Sequence, residues 1–277
     1  MVERMERVLR EAEALGVDPA LVFHENLQKL VLLAVYGDLG LRQLVLHGGT
    51  ALRLLHGSPR FSLDLDFTGK AGRLELAELP GALLGRLWRY TELLETDVDL
   101  ARTKLTEEKT KGRFLRFDLR FSHPELGALK VKVEIWEREP LKSEERLLLV
   151  EVPVRTAVYI PSRSLDGVLV DKVCSLSGRG YTAPRDVYDV WFVLARGAKL
   201  RKGELLAEFG RWKESLRGLR DKIKALESGL VRRKFLEEFT HEINRLLPAA
   251  SRLSPRNAEQ ALRSTLAVLR RAEGWLR

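Results

Sequence analysis

The segment His47–Phe67 constrains the fold of this 277-residue chain more than any other part of the sequence. A short apolar strand runs into Gly48-Gly49-Thr50, and a short helix is predicted directly after this turn. Thirteen residues separate the turn from Asp64, where apolar and polar residues alternate and predict a second strand with Asp64 and Asp66 on its polar face. The sequence therefore predicts a glycine turn and two carboxylates on adjoining strands.

This arrangement has a chemical interpretation. Glycines followed by threonine between a strand and a helix let backbone N–H groups approach a phosphate. Asp64 and Asp66, one pleat apart, can both bind a hard divalent cation. The alternatives are an ordinary strand-to-helix turn and a solvated strand face. Two like charges that point the same way repel each other, which favours metal binding over the solvated face.

A third carboxylate follows on a predicted hairpin. Residues 113–121 and 128–136 both alternate between apolar and polar residues, and a short turn joins them. Glu134 lies on the polar face of the second strand together with Lys130 and Lys132. Glu134 is thus a candidate third metal ligand, and a simple ion pair with either lysine is the alternative.

The remaining pattern is mostly helical. Helices are predicted over 3–15, 19–36, around 74–96, and from about 165 onward, including one long bundle helix over 205–226 and two more over 231–247 and 255–276. We therefore expect an α+β fold, in which helices flank a mixed or antiparallel sheet and a helical bundle forms the C-terminal part. The predicted domains are 1–160 and 161–277.

Composition limits the class of protein. No apolar run is long enough for a transmembrane helix, and charged residues fill the N-terminus where a signal peptide would be apolar, so we expect a cytoplasmic protein without a membrane partner. The single cysteine excludes an internal disulfide and a cysteine zinc site. Residues 201–277 carry 18 Lys and Arg against 10 Asp and Glu, which is +8 of the net charge of +9. This basic quarter favours RNA as a partner, and a solvated helical surface is the alternative.

The ordered motifs resemble those of a known family. A GG[ST] turn followed by a [DE]h[DE] strand is the minimal signature of the DNA polymerase beta-like nucleotidyltransferases. The segment GGTALRLLHGSPRFSLDLDF is similar, more narrowly, to that of the AbiEii/AbiGii toxins. Further residues match this pattern at Arg60, Ser62, Lys132, Glu134, Lys172, Arg179, Arg185 and Asp186, with a slightly longer gap before Arg185 than the family has.

The resemblance implies roles for these residues. Asp64, Asp66 and Glu134 would bind Mg²⁺, with Mn²⁺ as the alternative, and Asp186 would orient neighbouring bases or assist proton transfer. The residues implied for binding a nucleoside triphosphate (NTP) are Gly48, Gly49, Thr50, Arg60, Ser62, Lys132, Lys172, Arg179 and Arg185. Within this group, Lys172 would also act in catalysis by neutralising the triphosphate. The alternative for Arg185, Asp186 and Asp189 is local ion pairing at i,i+4 on one helix.

The function implied by the resemblance is that of a toxin. Such an enzyme would transfer a nucleoside monophosphate from an NTP to an RNA, and members resemble enzymes that act on the tRNA 3′ end, which would block translation. The basic C-terminal bundle is the candidate for holding the tRNA, and a cognate antitoxin is a possible partner. Two alternatives stay open: an acceptor hydroxyl on a protein or small molecule, and a non-catalytic module that binds RNA or an antitoxin.

Overall fold

The computed structural model describes residues 2–71, 74–94, 96–108, 112–138, 142–151, 155–212, 216–230 and 232–277. The chain divides into two compact units. The first comprises Met1–Gly57 and Phe61–Arg163, and the second comprises Ser58–Arg60 and Ser164–Arg277.

The first unit is a sheet with helices. Its helices are α1 (Val2–Leu15), α2 (Pro19–Leu33), α3 (Gly48–His56) and α4 (Leu79–Thr91), with a π-helical turn at Ala34–Asp38 and a 3₁₀ turn at Glu92–Leu94. Its strands are β1 (Leu44–His47), β2 (Asp64–Gly69), β3 (Asp97–Glu108), β4 (Gly112–His123), β5 (Gly127–Glu137), β6 (Ser143–Val150) and β7 (Thr156–Arg163). These strands form one sheet in the order β3-β4-β5-β2-β1-β7-β6.

Strand directions in this sheet are mixed. β2 is antiparallel to β1 and parallel to β5, and β1 is parallel to β7. β3, β4 and β5 form an antiparallel meander. The α+β fold with a mixed sheet is thereby confirmed.

The hydrophobic core lies on one face of the sheet. Alternate residues of β2, β4 and β5 point to this face and are almost fully buried: Leu65, Phe67, Leu115, Phe117, Leu119, Phe121, Val131, Val133 and Ile135. Apolar side chains of α1, α2 and α4 belong to the same cluster. Burying each such side chain contributes about 1.5–3 kcal/mol, so the register of these strands is strongly specified. The intervening polar residues are therefore held on the opposite face.

The second unit is helical. Its helices are α5 (Leu165–Gly178), α6 (Pro184–Ala195), α7 (Lys202–Trp212), α8 (Leu216–Leu230), α9 (Arg233–Asn244) and α10 (Pro255–Leu276), with a 3₁₀ turn at Ala249–Ser251. Ser164 and Ser254 cap α5 and α10 by accepting hydrogen bonds from backbone N–H groups three residues later. Within the described residues, no helix has both the length and the apolarity that crossing a membrane requires.

Several elements differ from the sequence-based expectation. The helix after the glycine turn begins at Gly48 rather than at residue 51, and α4 is shorter than the helical stretch expected over 74–96. In place of one helix over 205–226 the structure has α7 and α8, while residues 213–215 and the Trp212 side chain lie outside the described residues. β3 was not predicted, because an edge strand with exposed side chains on both faces lacks the apolar alternation that marks a half-buried strand.

Candidate active site

The glycine turn and the two aspartates are adjacent in the structure. β1 pairs with β2 so that His47 lies opposite Asp66, and α3 begins at the next residue, Gly48. The N-terminus of a helix is positively polarised and presents unpaired N–H groups. The start of α3 is thus placed directly beside the carboxylates of β2.

Gly48 is required by both conformation and space. Its φ of +73° lies in the left-handed region, which side chains other than glycine rarely adopt. A Cβ at this position would lie 2.4 Å from Asp66 Oδ2, which is far inside van der Waals contact. The absence of a side chain at Gly48 therefore lets the Asp66 carboxylate approach the helix start.

Gly48→Ala is expected to damage the site. The left-handed conformation alone costs a residue with a Cβ about 1–2 kcal/mol. The new methyl group must also displace the Asp66 carboxylate, and misplacing a catalytic group is expected to lower the transfer rate about tenfold. The measurement is the rate of nucleotidyl transfer together with urea unfolding.

Gly85→Ala is the matched control for this prediction. A Cβ at Gly85 meets nothing within 4 Å, and the residue lies inside α4. Alanine there is expected to stabilise the protein by about 0.5–1 kcal/mol and to leave transfer unchanged. Full activity of Gly48→Ala would show that Asp66 does not act from this position.

Thr50 joins the turn to β2. Its side chain is fully buried, and its hydroxyl donates a hydrogen bond to the backbone carbonyl of Asp64. The same oxygen lies 3.4 Å from the Gln28 amide nitrogen, which donates to it. The Thr50 hydroxyl thus holds α3 against the start of β2, and a phosphate contact at this turn would come from backbone N–H groups.

The third carboxylate lies on the neighbouring strand. The parallel register of β2 and β5 places Asp66 opposite Glu134 and Asp64 opposite Lys132. Lys132 Nζ is 2.9 Å from Asp64 Oδ1 and 3.7 Å from Glu134 Oε1, and Arg116 Nε is 3.6 Å from the same Glu134 oxygen. Three carboxylates and two cations therefore share one face of the sheet.

Electrostatics disfavours the charged form of Glu134. Burial is the largest cause that raises the pKa of its carboxyl, and the negative charge of Asp66 is the next. Lys132 and Arg116 oppose this shift without cancelling it. The raised pKa of Glu134 thus reflects mainly its burial, to which the charge of Asp66 adds.

These residues fit a hard divalent cation by donor chemistry, because carboxylate oxygens are its preferred ligands. Among the residues that the structure describes, no three carboxylate, imidazole or thiolate groups are already close enough to hold a metal ion. Lys132 Nζ is bound to Asp64, so metal binding requires this ammonium group to give up that contact.

Four other predicted site residues, which are mostly buried, form a cluster in the second unit. The Arg60 guanidinium binds Asp189 through two hydrogen bonds of 2.9 and 3.0 Å. Lys172 Nζ is 2.8 Å from Asp186 Oδ1 and 2.7 Å from Asp189 Oδ2. Arg179 also donates to Asp186. We refer to Arg60, Lys172, Arg179, Asp186 and Asp189 as the ion cluster.

The charges of the ion cluster stabilise one another. Burial would lower the pKa of Lys172, but Asp186 and Asp189 outweigh burial and raise it. Burial would raise the pKa of Asp186, but Lys172 and Arg179 outweigh burial and lower it. Sequence reasoning missed Asp189 as the partner of Arg60, because local spacing cannot show a pair 129 residues apart.

The structure thus places the predicted residues in two groups. Those in the first unit lie at the glycine turn, on β2, or on β5: Gly48, Gly49, Thr50, Asp64, Asp66, Lys132 and Glu134, with Ser62 two residues before β2. Arg60, Lys172, Arg179 and Asp186 belong to the ion cluster of the second unit, and Arg185 precedes Asp186 in the first turn of α6.

Comparison with known proteins identifies relatives of this chain. The model of the family described as nucleotidyl transferase AbiEii toxin, type IV toxin–antitoxin system, matches residues 37–266. No curated protein sequence matches significantly.

Solved structures share the fold at low identity. The nucleotidyltransferase toxin MenT4 from Mycobacterium tuberculosis is 18% identical, with a TM-score of 0.57 over 99% of this chain and 92% of that one. A putative nucleotidyltransferase from Helicobacter pylori is 17% identical, with a TM-score of 0.56 over 94% and 99%. JHP933 from Helicobacter pylori is 17% identical, with a TM-score of 0.54 over 92% and 94%.

Proposed function

The chain belongs to the AbiEii family of nucleotidyltransferase toxins, and on that basis we propose that it transfers a nucleoside monophosphate from an NTP to the 3′ end of an RNA, specifically a tRNA. A modified tRNA 3′ end cannot accept an amino acid, so translation stops. The type IV toxin–antitoxin family also implies a cognate antitoxin as a partner.

One observation carries the proposal. Asp66 and Glu134 lie in register on adjacent parallel strands, with Asp64 on the same face and the glycine turn next to Asp66. This arrangement puts three carboxylates on one face of the sheet and sets one of them, Asp66, beside the positively polarised start of a helix. Such a site suits a triphosphate together with a divalent cation.

In this proposal Asp64, Asp66 and Glu134 hold Mg²⁺. The chemistry that Mg²⁺ supplies when bound is neutralisation of the triphosphate and activation of the attacking hydroxyl. The acceptor oxygen attacks the α-phosphorus, the bond from this phosphorus to the β-phosphate bridging oxygen breaks, and pyrophosphate leaves. The hydroxyl proton passes to a carboxylate oxygen of Glu134. Since phosphoryl-type transfer needs little covalent help, positioning and charge do most of the work.

The lysines and arginines have different roles in this proposal. Lys132 lies between Asp64 and Glu134 and neutralises charge there. The family resemblance assigns Lys172, Arg179 and Arg185 to the triphosphate. The two carboxylates that bind Lys172 support a positioning role for Asp186.

Transfer to RNA is tested directly. The purified protein is incubated with total tRNA, Mg²⁺ and each labelled NTP in turn, and Mn²⁺ replaces Mg²⁺ in a parallel series. We expect label from a preferred NTP on the tRNA 3′ end, release of one pyrophosphate per nucleotide added, and loss of both with a chelator. Label on protein or a small molecule, or no label with either metal, would contradict the RNA acceptor.

A further inference from the structure

The polar face of the sheet continues beyond the carboxylates toward β3. Strand register aligns two cross-strand rows on this face: Asp64, Lys132, Asp118 and Arg102 in one, and Asp66, Glu134, Arg116 and Lys104 in the other. Side chains that pair in register point to the same face. With strands about 4.8 Å apart, each row spans about 14 Å from β2 to the β3 edge. The rows change from acidic at β2 to basic at β3.

The basic end of the rows forms a small anion site. Arg102, Lys104, Arg116 and Asp118 line a cavity of about 70 Å³. Among the residues that the structure describes, Arg102 and Lys104 form no ion pair, and both are exposed. Three cations around one small cavity favour an anionic group such as a single phosphate.

Asp118 adds a requirement for a hydrogen-bond donor. It is 7% exposed, and its Oδ2 lies 3.4 Å from Lys130 Nζ. Its Oδ1 is buried and has no hydrogen-bond partner among the described residues. A buried acceptor is rarely left unpaired in proteins. A ligand that fits this cavity therefore presents both an anion and a donor group, as a phosphate and an adjacent ribose hydroxyl do.

Aromatic side chains occupy the next row on the same face. Phe114 and Trp136 lie in register on β4 and β5, with ring centroids 4.4 Å apart and an interplanar angle of 34°. Single-stranded RNA is commonly recognised by stacking of bases on aromatic rings beside cations that hold the backbone. The face thus combines cations, a hydroxyl acceptor and aromatic rings.

We propose that the acceptor strand of the RNA binds across this face. One phosphate a few nucleotides from the 3′ end sits among Arg102, Lys104 and Arg116, and the adjacent 2′-hydroxyl donates to Asp118 Oδ1. The 3′ end then lies at the carboxylates of β2 and β5. This inference rests on the proposed RNA acceptor, and it places RNA recognition on the sheet rather than on the basic C-terminal helices.

The double variant Arg102→Ala/Lys104→Ala tests the phosphate contact. Both residues lie on an exposed edge strand, so the fold is expected to tolerate their removal. Affinity for a single-stranded RNA with the tRNA 3′ sequence is measured without NTP. We expect about tenfold weaker binding, and a slope of log affinity against log salt smaller by about 0.7, since the contact to one phosphate is lost. In transfer assays the KM for RNA rises more than the KM for NTP.

Arg10→Ala/Arg89→Ala is the matched control. It removes the same charge from exposed positions on α1 and α4, whose apolar residues join the core on the other face. RNA affinity of this control is expected to stay within twofold of wild type. Equal losses in the two double variants would show only a net-charge effect and would overturn the inference.

Asp118→Ala tests the ribose contact by a double comparison. The wild-type protein is expected to bind the RNA about tenfold better than the same strand with 2′-deoxy sugars, because the deoxy strand lacks the donor. Asp118→Ala is expected to bind both strands equally. If Asp118→Ala still prefers the RNA over the 2′-deoxy strand as strongly as wild type does, the proposal is wrong. If Asp118→Ala fails to fold, the double variant Arg102→Ala/Lys104→Ala still tests the proposal.

The failure of this inference is distinguishable from failure of the proposed function. If wild-type protein labels RNA while Arg102→Ala/Lys104→Ala keeps the wild-type RNA affinity and KM, the inference is wrong and the function stands. A loss confined to Arg217→Ala/Arg233→Ala, which alters α8 and α9, also overturns it in favour of the helical unit. If the wild-type protein labels no RNA, the proposed function itself fails.

Discussion

Asp66→Asn is expected to lower the rate of nucleotidyl transfer on the order of 10²-fold or more while leaving the protein folded. The amide removes one ligand charge from the proposed metal site. The Asp66 charge also raises the pKa of Glu134, so its removal relieves repulsion between the two strands. In the absence of metal we therefore expect the variant to be at least as stable as wild type. Transfer rate and thermal unfolding are measured on the same preparation.

Glu144→Gln is the control for loss of one negative charge. Glu144 lies on β6, and its side chain is half exposed. Within the part of the chain that the structure describes, its ion pair is with the nearby Arg146. Its substitution is expected to leave both activity and stability nearly unchanged. Retained activity in Asp66→Asn would remove Asp66 from the metal site, and unfolding of that variant would give it a structural role instead.

The pH dependence of stability is a further test of the repulsion between Asp66 and Glu134 and of metal binding by these residues. Because the pKa of Glu134 is raised above its usual 4.5 in the folded state, protonation of this group favours folding. Its contribution is fully present below the unfolded pKa and is lost as the pH rises through the folded pKa. Metal-free wild-type protein should therefore lose some stability across this range. Asp66→Asn should lose less stability than wild type over the same pH range. Added Mg²⁺ should stabilise the wild-type protein at pH values above the folded pKa of Glu134.

The sequence predicted the parts of the site that local pattern encodes. The turn at Gly48 and the alternation around Asp64 and Asp66 are set by residue spacing, so their strands and faces could be read directly. The close approach of Gly48 to Asp66 could not be predicted from local sequence, because it depends on the antiparallel pairing of β1 with β2.

Long-range pairing explains most of what the sequence could not show. Besides pairing with its sequence neighbour β1, β2 pairs in parallel with the distant strand β5, and only this second pairing sets Asp66 opposite Glu134. The same holds for β3, because only its register with β4 places Arg102 and Lys104 beside Asp118 and Arg116. A pattern of charges on an exposed strand carries no signal of its own until the neighbouring strands are known.

The ion cluster also shows what the sequence could not predict, namely whether its residues bind nucleotide or stabilise the fold. The motif around Asp186 and Asp189 resembles a nucleotide-binding pattern, yet in the structure these carboxylates hold three cations of the second unit. A buried cation needs a partner wherever it lies. The resemblance alone therefore cannot separate a residue that binds the triphosphate from one that keeps the helices together.

Asp189→Asn is expected to destabilise the second unit by roughly 3–5 kcal/mol, because it leaves buried positive charge unpaired. Asp189 is fully buried, and Arg60 and Lys172 are 2% and 9% exposed. Without the Asp189 charge, Arg60 and Lys172 lose the carboxylate that both of them bind. Urea unfolding followed by circular dichroism measures the loss.

Proton binding cannot relieve this loss near neutral pH. The pKa of Asp186 is lowered, so its contribution to stability is present above its unfolded value and is lost only as the pH falls through the folded value. The pKa of Lys172 is raised, so its contribution is present below its unfolded value and is lost only as the pH rises through the folded value. Between these limits the cluster stays charged, and the destabilisation by Asp189→Asn should be nearly constant.

A paired substitution decides whether the cluster is structural or binds nucleotide. Asp221→Asn, at an exposed ion pair on α8, is the control and should change stability by less than about 0.5 kcal/mol. Arg60→Met/Asp189→Leu removes one cation and one anion together, so most of the stability should return, since apolar replacement of a buried pair is often neutral. The outcomes separate two roles for Arg60. If the double variant is stable and still transfers nucleotides, Arg60 has a structural role. If it is stable but its KM for NTP rises sharply, Arg60 binds the triphosphate as the family resemblance implies. A double variant no more stable than Asp189→Asn would show that the charge balance inferred here is wrong.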